Sequence, residues 1–150
     1  MADSLHQVHI ECDPKTLYLA LTQEEGIRSW LTPLCTMAKS EGEPCHLTLD
    51  NGNTEVTLVA QKQLPFQRVF CRCTNGPAEW METELWWEIT QAEDAGCLLD
   101  FKHMNWKKDE GIFPHYNSMW GSALLKLKQY CELGVVDPLF EQSQPHALSS

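Results

Sequence analysis

Val8, Ile10 and Cys12 alternate with His9 and Glu11, the two-residue period of a strand with one buried face. Asp13-Pro14 ends that pattern and starts another. Aspartate is a good helix N-cap, and proline fits the first helical position because an N–H there has no helical partner. Leu17, Tyr18 and Leu21 give the resulting short helix one apolar face. Thr22-Gln23-Glu24-Glu25 reads as a capping box, in which Thr22 and Glu25 satisfy each other's end donors. It predicts a second short helix carrying Ile27, Trp30 and Leu31, closed by Pro33.

From about residue 36 to 106 the period is that of strands, with a turn every 10 to 15 residues. Segments 36–40 and 45–50 read as a hairpin around Glu41-Gly42-Glu43-Pro44, and Asp50-Asn51-Gly52-Asn53 is a stronger hairpin turn. Four further strands are expected over 54–64, 67–74, 82–91 and 97–106. Consecutive strands with short links favour an antiparallel meander. The pattern then changes to three- and four-residue intervals through Tyr116, Met119, Trp120, Ala123, Leu124, Leu127, Tyr130 and Cys131, an amphipathic helix over 115–133 that stops at Gly134. After Asp137-Pro138 there is little left to bury, so about 139–150 is expected to be a flexible tail.

These elements make a two-layer α+β domain spanning 1–150. A long antiparallel sheet of this size does not close on itself, and the C-terminal helix is the element able to cover its concave face. Alternation assigns the faces. Thr83, Leu85, Trp87 and Ile89 share one side against Glu84, Trp86 and Glu88, and Leu99, Phe101 and His103 share one against Asp100 and Lys102. The charged parity faces water, so Trp87, Phe101 and His103 point at the helix.

Composition adds exclusions. The chain has 150 residues, 43% of them hydrophobic, and 21 acidic against 11 basic residues give a formal charge of −10. Such a chain repels polyanions, which argues against nucleic acid. No apolar run reaches the length of a membrane span, and the start MADSLHQVHIECD lacks the basic and apolar regions of an export signal, so neither membrane insertion nor secretion is expected. The seven cysteines are odd in number and scattered, which points to free thiols in a reducing cytoplasm. The six histidines are equally dispersed, so no metal site and no cofactor is expected.

The segment MWGSALLKLKQYCELGVVDP, with its Trp-Gly, spaced leucines, Leu-Lys, Tyr and Glu-x-Gly, resembles the C-terminal helix of the START-like (SRPBCC) superfamily. Within that superfamily it is similar to the branch named after the activator of the heat-shock chaperone ATPase. Phe101-Lys102-His103-Met104-Asn105-Trp106 resembles the last strand of that branch, and Ile10-Glu11-Cys12-Asp13-Pro14 followed by Ala20-Leu21-Thr22 and Trp30 resembles its opening. The resemblance spans about residues 6–138 and implies a helix-grip fold: a curved antiparallel sheet of about six strands wrapped around the long helix, with two short helices after the first strand and a cavity between sheet and helix.

That cavity gives the site its candidates: Trp87, Phe101 and His103 from the sheet, and Tyr116, Met119, Trp120 and Leu124 from the helix. An apolar pocket with few polar groups suits a small hydrophobic molecule or lipid. The bland reading is that these rings fill the interior. His103 is the sharpest residue, because an imidazole on an apolar face must find a partner: Tyr116, a backbone carbonyl, a water or a ligand. Two other functions compete. One is a cyclase-like enzyme with His103 or Tyr116 as acid/base, although Gly-x-Ser-x-Gly, Gly-rich phosphate loops and His-Glu-x-x-His are all missing. The other is a co-chaperone-like interaction module. Its surface would be the acidic run Glu79, Glu82, Glu84, Glu88, Glu93 and Asp94, with Trp80 and Trp86 as apolar anchors. Ligand identity and oligomeric state are not legible in the sequence.

Overall fold

The computed structural model describes residues 2–61, 63–93, 96–107 and 110–140. In chain order the elements are β1 (Ala2–Ile10), α1 (Pro14–Thr22), α2 (Glu24–Trp30), β2 (Cys35–Thr36), β3 (Pro44–Leu49), β4 (Thr54–Ala60), β5 (Arg68–Asn75), β6 (Glu84–Gln91), β7 (Cys97–Trp106) and α3 (Phe113–Leu133). The sheet has seven strands in the order β1-β7-β6-β5-β4-β3-β2, every neighbouring pair antiparallel. It is thus the expected meander with β1 added beside β7, seven strands where the resemblance implies about six, and the strand expected over 36–40 is reduced to β2, Cys35–Thr36. No helix among the described residues is long and apolar enough to cross a membrane.

Asp13 caps α1 as its chemistry requires, its carboxylate accepting from the Thr16 N–H at 2.7 Å. The capping box does not form. The Thr22 hydroxyl donates instead to the Tyr18 carbonyl at 2.9 Å, so Thr22 closes α1, and α2 starts after Gln23 without a side-chain cap. β4 stops at Ala60 rather than 64, because the Gln63 side chain takes over the ladder: its amide donates to the Phe70 carbonyl at 2.8 Å and accepts from the Phe70 N–H at 2.9 Å. Alternation is exact where it positions the site. Leu85 faces His103, Trp87 faces Phe101 and Ile89 faces Leu99 across β6 and β7, and all six are buried.

The helix α3 lies on the concave face, held along β1: Ser4 Oγ donates to Asn117 Oδ1 at 2.6 Å and Lys128 Nζ to the His9 carbonyl at 2.6 Å. Glu132 accepts from the Glu11 N–H, just past the end of β1. Its apolar stripe is buried from Tyr116 to Leu127, and Gly134 ends it at φ 72°, a left-handed turn that glycine adopts without strain. α3 therefore covers the β1-β7-β6 side, while α1 and α2 lie over the other half. The chain after α3 is held further than expected, since Asp137, Leu139 and Phe140 donate backbone N–H bonds to the carbonyls of Ser29, Trp30 and Leu31. The rest of the expected tail, 141–150, lies outside the described residues.

Candidate functional site

Between β6-β7 and α3 the rings interlock. Trp120 stands edge-on to Trp87 at 5.8 Å and tilts against Phe101 at 4.5 Å, while Trp87 and Phe101 lie 4.2 Å apart. Such tilted and edge-to-face contacts fill space closely. Met119 and Leu124 are buried beside them on α3. Trp80 joins this cluster, with its ring 4.6 Å from His103 and 5.0 Å from Tyr116. A single 3-10 turn, Ala78–Trp80, turns it inward until it is fully buried, so it is no surface anchor.

His103 is completely enclosed, and both ring nitrogens are engaged. The Trp120 indole donates to Nδ1 at 3.1 Å, which leaves the ring proton on Nε2. Nε2–H therefore donates to Thr83 Oγ1 at 2.9 Å, and the Thr83 hydroxyl donates onward to the Trp80 carbonyl at 2.7 Å. The chain of donors has one direction, from the helix to the backbone of the Ala78–Trp80 turn. Burial pushes His103 down to about 3, so the ring is neutral at physiological pH.

Tyr116 is tied elsewhere. Its hydroxyl donates to Asp50 Oδ2 at 2.6 Å, where Thr54 Oγ1 also donates at 2.7 Å, and His115 Nε2 lies 3.1 Å from Oδ1. Burial, and then the Asp50 carboxylate, push the phenol up to about 12. Burial alone would raise Asp50, but the hydrogen bonds from Tyr116, Thr54 and His115 outweigh it and hold the carboxyl below its usual range. This cluster fastens the β3–β4 turn to the start of α3.

Open space lies on the other side of Trp87 and Trp120. A cleft of about 730 Å³ runs between α1-α2 and the concave face of β3 to β6. Its walls are Leu21, Ile27 and Trp30 from the helices, Leu47, Leu58, Val69 and Leu85 from the sheet, and the thiols Cys45 and Cys71. Polar side chains enter from α1, the α1–α2 junction and the 37–41 segment, where Gln23, Lys39, Ser40 and Glu41 are exposed, and from Gln63. Of the seven sequence candidates, Trp87 and Trp120 line this cleft; Phe101, His103, Tyr116, Met119 and Leu124 do not. The cleft thus lies one strand pair away from where parity alone centred a cavity. Its α1 and α2 walls had a signal in Leu21, Ile27 and Trp30, but apolar helix faces do not name the strands they will cover.

Of the acidic run, Glu84 and Glu88 on β6 are paired with bases, and Asp94 lies outside the described residues. Arg72 pairs with Glu84 at 3.3 Å, and Glu88 lies 3.1 Å from Arg68 and 3.9 Å from Lys102. Trp86 stacks on Phe70 at 3.9 Å with the Arg68 guanidinium 5.4 Å above it. Among the described residues no three His, Cys, Asp or Glu side chains are grouped to hold a metal ion.

The sequence pattern of one family, Activator of Hsp90 ATPase homolog 1-like protein, matches residues 11–132. Among solved structures, the chain is similar to that of the Aha1 dimer from Colwellia psychrerythraea, with a TM-score of 0.81 and 27% identity over 89% of this chain and 98% of that one. It shares its fold with SSP2350 from Staphylococcus saprophyticus, at TM-score 0.76 and 15% identity over 94% and 99% of the two chains. The same holds for MLL2253 from Mesorhizobium loti, at TM-score 0.73 and 17% identity over 85% and 95%. No curated protein matches the sequence.

Proposed function

The chain belongs to the family of Activator of Hsp90 ATPase homolog 1-like proteins, within the START-like superfamily, and on that premise we propose that it binds a small hydrophobic molecule or lipid in the cleft beneath α1 and α2. The observation that carries this reading is the wall of the cleft. A space of about 730 Å³ falls within the ordinary size of small-molecule sites, and apolar side chains dominate its depth with polar ones at the α1–α2 junction and the 37–41 segment. That gradient suits a molecule with an apolar body and one polar end. Trp87 and Trp120 on the wall give the binding event an intrinsic fluorescence signal.

The enzyme alternative loses its proposed acid and base. His103 has both nitrogens committed and is held neutral, and the Tyr116 phenol is held protonated against Asp50. Neither side chain lines the cleft.

Native mass spectrometry of freshly purified protein tests the reading. A mass excess that disappears on denaturation is expected, as is saturable quenching of tryptophan fluorescence by medium- or long-chain fatty acids. No excess mass together with no saturable response to any of them would overturn it.

A further inference from the structure

Beside the cleft one residue sits on a backbone that does not suit its side chain. A tight turn, Leu64-Pro65-Phe66-Gln67, leads into β5, with the Gln67 N–H donating to the Leu64 carbonyl at 2.9 Å and the Leu64 N–H to the Arg68 carbonyl at 3.1 Å. Phe66, third in the turn, has φ 66°. Glycine or asparagine suits that place, because in the left-handed region a Cβ crowds the following carbonyl oxygen, and a bulky residue there is an outlier. The other described non-glycine residues with left-handed φ are Asp50, Asn51, Glu82 and Asn105, so Phe66 is the apolar exception among them. Nor is its ring part of the core, since Phe66 is 44% exposed.

The ring goes to Tyr18 of α1, which it meets edge-on with centroids 5.6 Å apart. Tyr18 is half-buried and lines the cleft, whereas Phe66 does not line it, so the tyrosine ring stands between the cleft and the phenylalanine. Gln63, just before the turn, also lines the cleft, and its N–H donates to Glu41 Oε2 at 2.8 Å. Burial, and then the Glu41 carboxylate, raise the Tyr18 phenol, which places Glu41 beside it. Three parts of the rim, namely α1, the 37–41 segment and the turn before β5, therefore come together around Tyr18.

We propose that Phe66 is a latch on the mouth of the cleft: its ring holds the Tyr18 ring across the opening between α1 and the turn, and so sets how fast a ligand enters and leaves. This rests on the reading of the cleft as the ligand site and adds the control of access to it. The cost of left-handed backbone at a phenylalanine is of the same size as the gain from one edge-to-face ring contact, so the pair adds little net stability. Backbone strain of this kind, held in place by its surroundings, is found at ligand clamps. The contact spans the rim from outside and is the same whether the cleft is empty or filled. A contact with no preference between the two states shifts no equilibrium, so removing it speeds entry and release alike and leaves the affinity as it was.

The test uses N-phenyl-1-naphthylamine, a neutral apolar probe, mixed with the full-length protein in a stopped-flow instrument. Energy transfer from tryptophan reports arrival, with Trp87 and Trp120 on the cleft wall as donors. Observed rates plotted against probe concentration give entry from the slope and release from the intercept. Phe66→Asn suits the turn and removes the ring, while Phe66→Tyr keeps the ring edge. In Phe66→Asn both rates should rise about fivefold, the equivalent of one edge-to-face contact, with Kd within about twofold of wild type and no loss of stability to urea. Phe66→Tyr should restore the wild-type rates. Unchanged rates in Phe66→Asn would overturn the latch and leave the cleft standing as a binding site. Faster release alone, with a weaker Kd, would make Phe66 a wall contact, and a marked loss of stability would make it a packing residue; either result overturns the latch. If the wild type gives no saturable probe signal, the cleft reading fails and the latch fails with it.

Discussion

Replacing His103 by leucine should destabilise the fold and, unusually, should do so less as the solution becomes more acid. Leucine is close in size and apolar, so the packing of the ring cluster is largely kept. What is lost is the donor chain. The Trp120 indole N–H, with Trp120 itself buried, keeps no acceptor, and an orphaned buried donor costs about 1–3 kcal/mol. Thr83 still donates to the Trp80 carbonyl but loses the bond it accepts, which costs about 1 kcal/mol more. The sum at pH 7 is about 2–4 kcal/mol, a large part of the 5–15 kcal/mol typical of a domain. The pH dependence follows from linkage. His103 titrates near 6.5 when unfolded and about 3 when folded, so below pH 6.5 the unfolded chain binds a proton that the native state refuses. Its contribution is complete above pH 6.5 and falls by about 1.4 kcal/mol per pH unit down to about 3. At pH 5 the wild type has lost about 2 kcal/mol through this one group, and the leucine variant has lost none of it. Urea unfolding at pH 7, 6 and 5 should therefore show a gap that narrows by about 2 kcal/mol. Asp50 and the other carboxylates are common to both proteins and cancel. Parallel stability curves, or a loss below about 1 kcal/mol at pH 7, would refute the enclosed neutral ring.

Gly26→Ala should destabilise by about 2 kcal/mol in urea unfolding despite alanine's better helix propensity, because the added Cβ would sit 2.6 Å from the Ala20 backbone. The Ala20 carbonyl also accepts the Trp30 indole N–H at 2.9 Å, so α2 has no room to yield; an unchanged stability would show that it does. All seven cysteines are free, and thiol titration of denatured, unreduced protein should count seven; five or fewer would contradict the absence of disulfides.

Much of the fold is written in periods that one strand or helix can display alone. The stripe from Tyr116 to Leu127 locates α3, and the alternation of Thr83, Leu85, Trp87 with Glu84, Trp86, Glu88 locates the inner face of β6. Elements that depend on a single local choice were less legible. Thr22 has both a capping partner at Glu25 and a carbonyl at Tyr18 within reach, and the hydroxyl takes the carbonyl. Trp80 sits in a turn, where no period assigns a face, and its inward direction comes from the 3-10 geometry of Ala78–Trp80.

The cleft was legible in composition but not in location, for a reason that lies in the length of the helix. α3 is fixed along β1 by Asn117 and Lys128 and near its end by Glu132, so its ring-bearing face meets β7 and β6 and stops at Trp120 and Trp87. The sheet continues for four more strands beyond β6, and α3 meets them at the β3–β4 turn, where Tyr116 and His115 bond to Asp50. Only α1 and α2, nine and seven residues long, cover that part of the concave face. Two helices of that size shield the inner rows of β3, β4 and β5 incompletely, and the shortfall is the cleft. The inward residues of β7 are therefore core, whereas Leu47, Leu58, Val69, Leu85 and Trp87 on β3 to β6 are wall. The distinction depends on which helix lies overhead, and no strand carries that information in its own sequence.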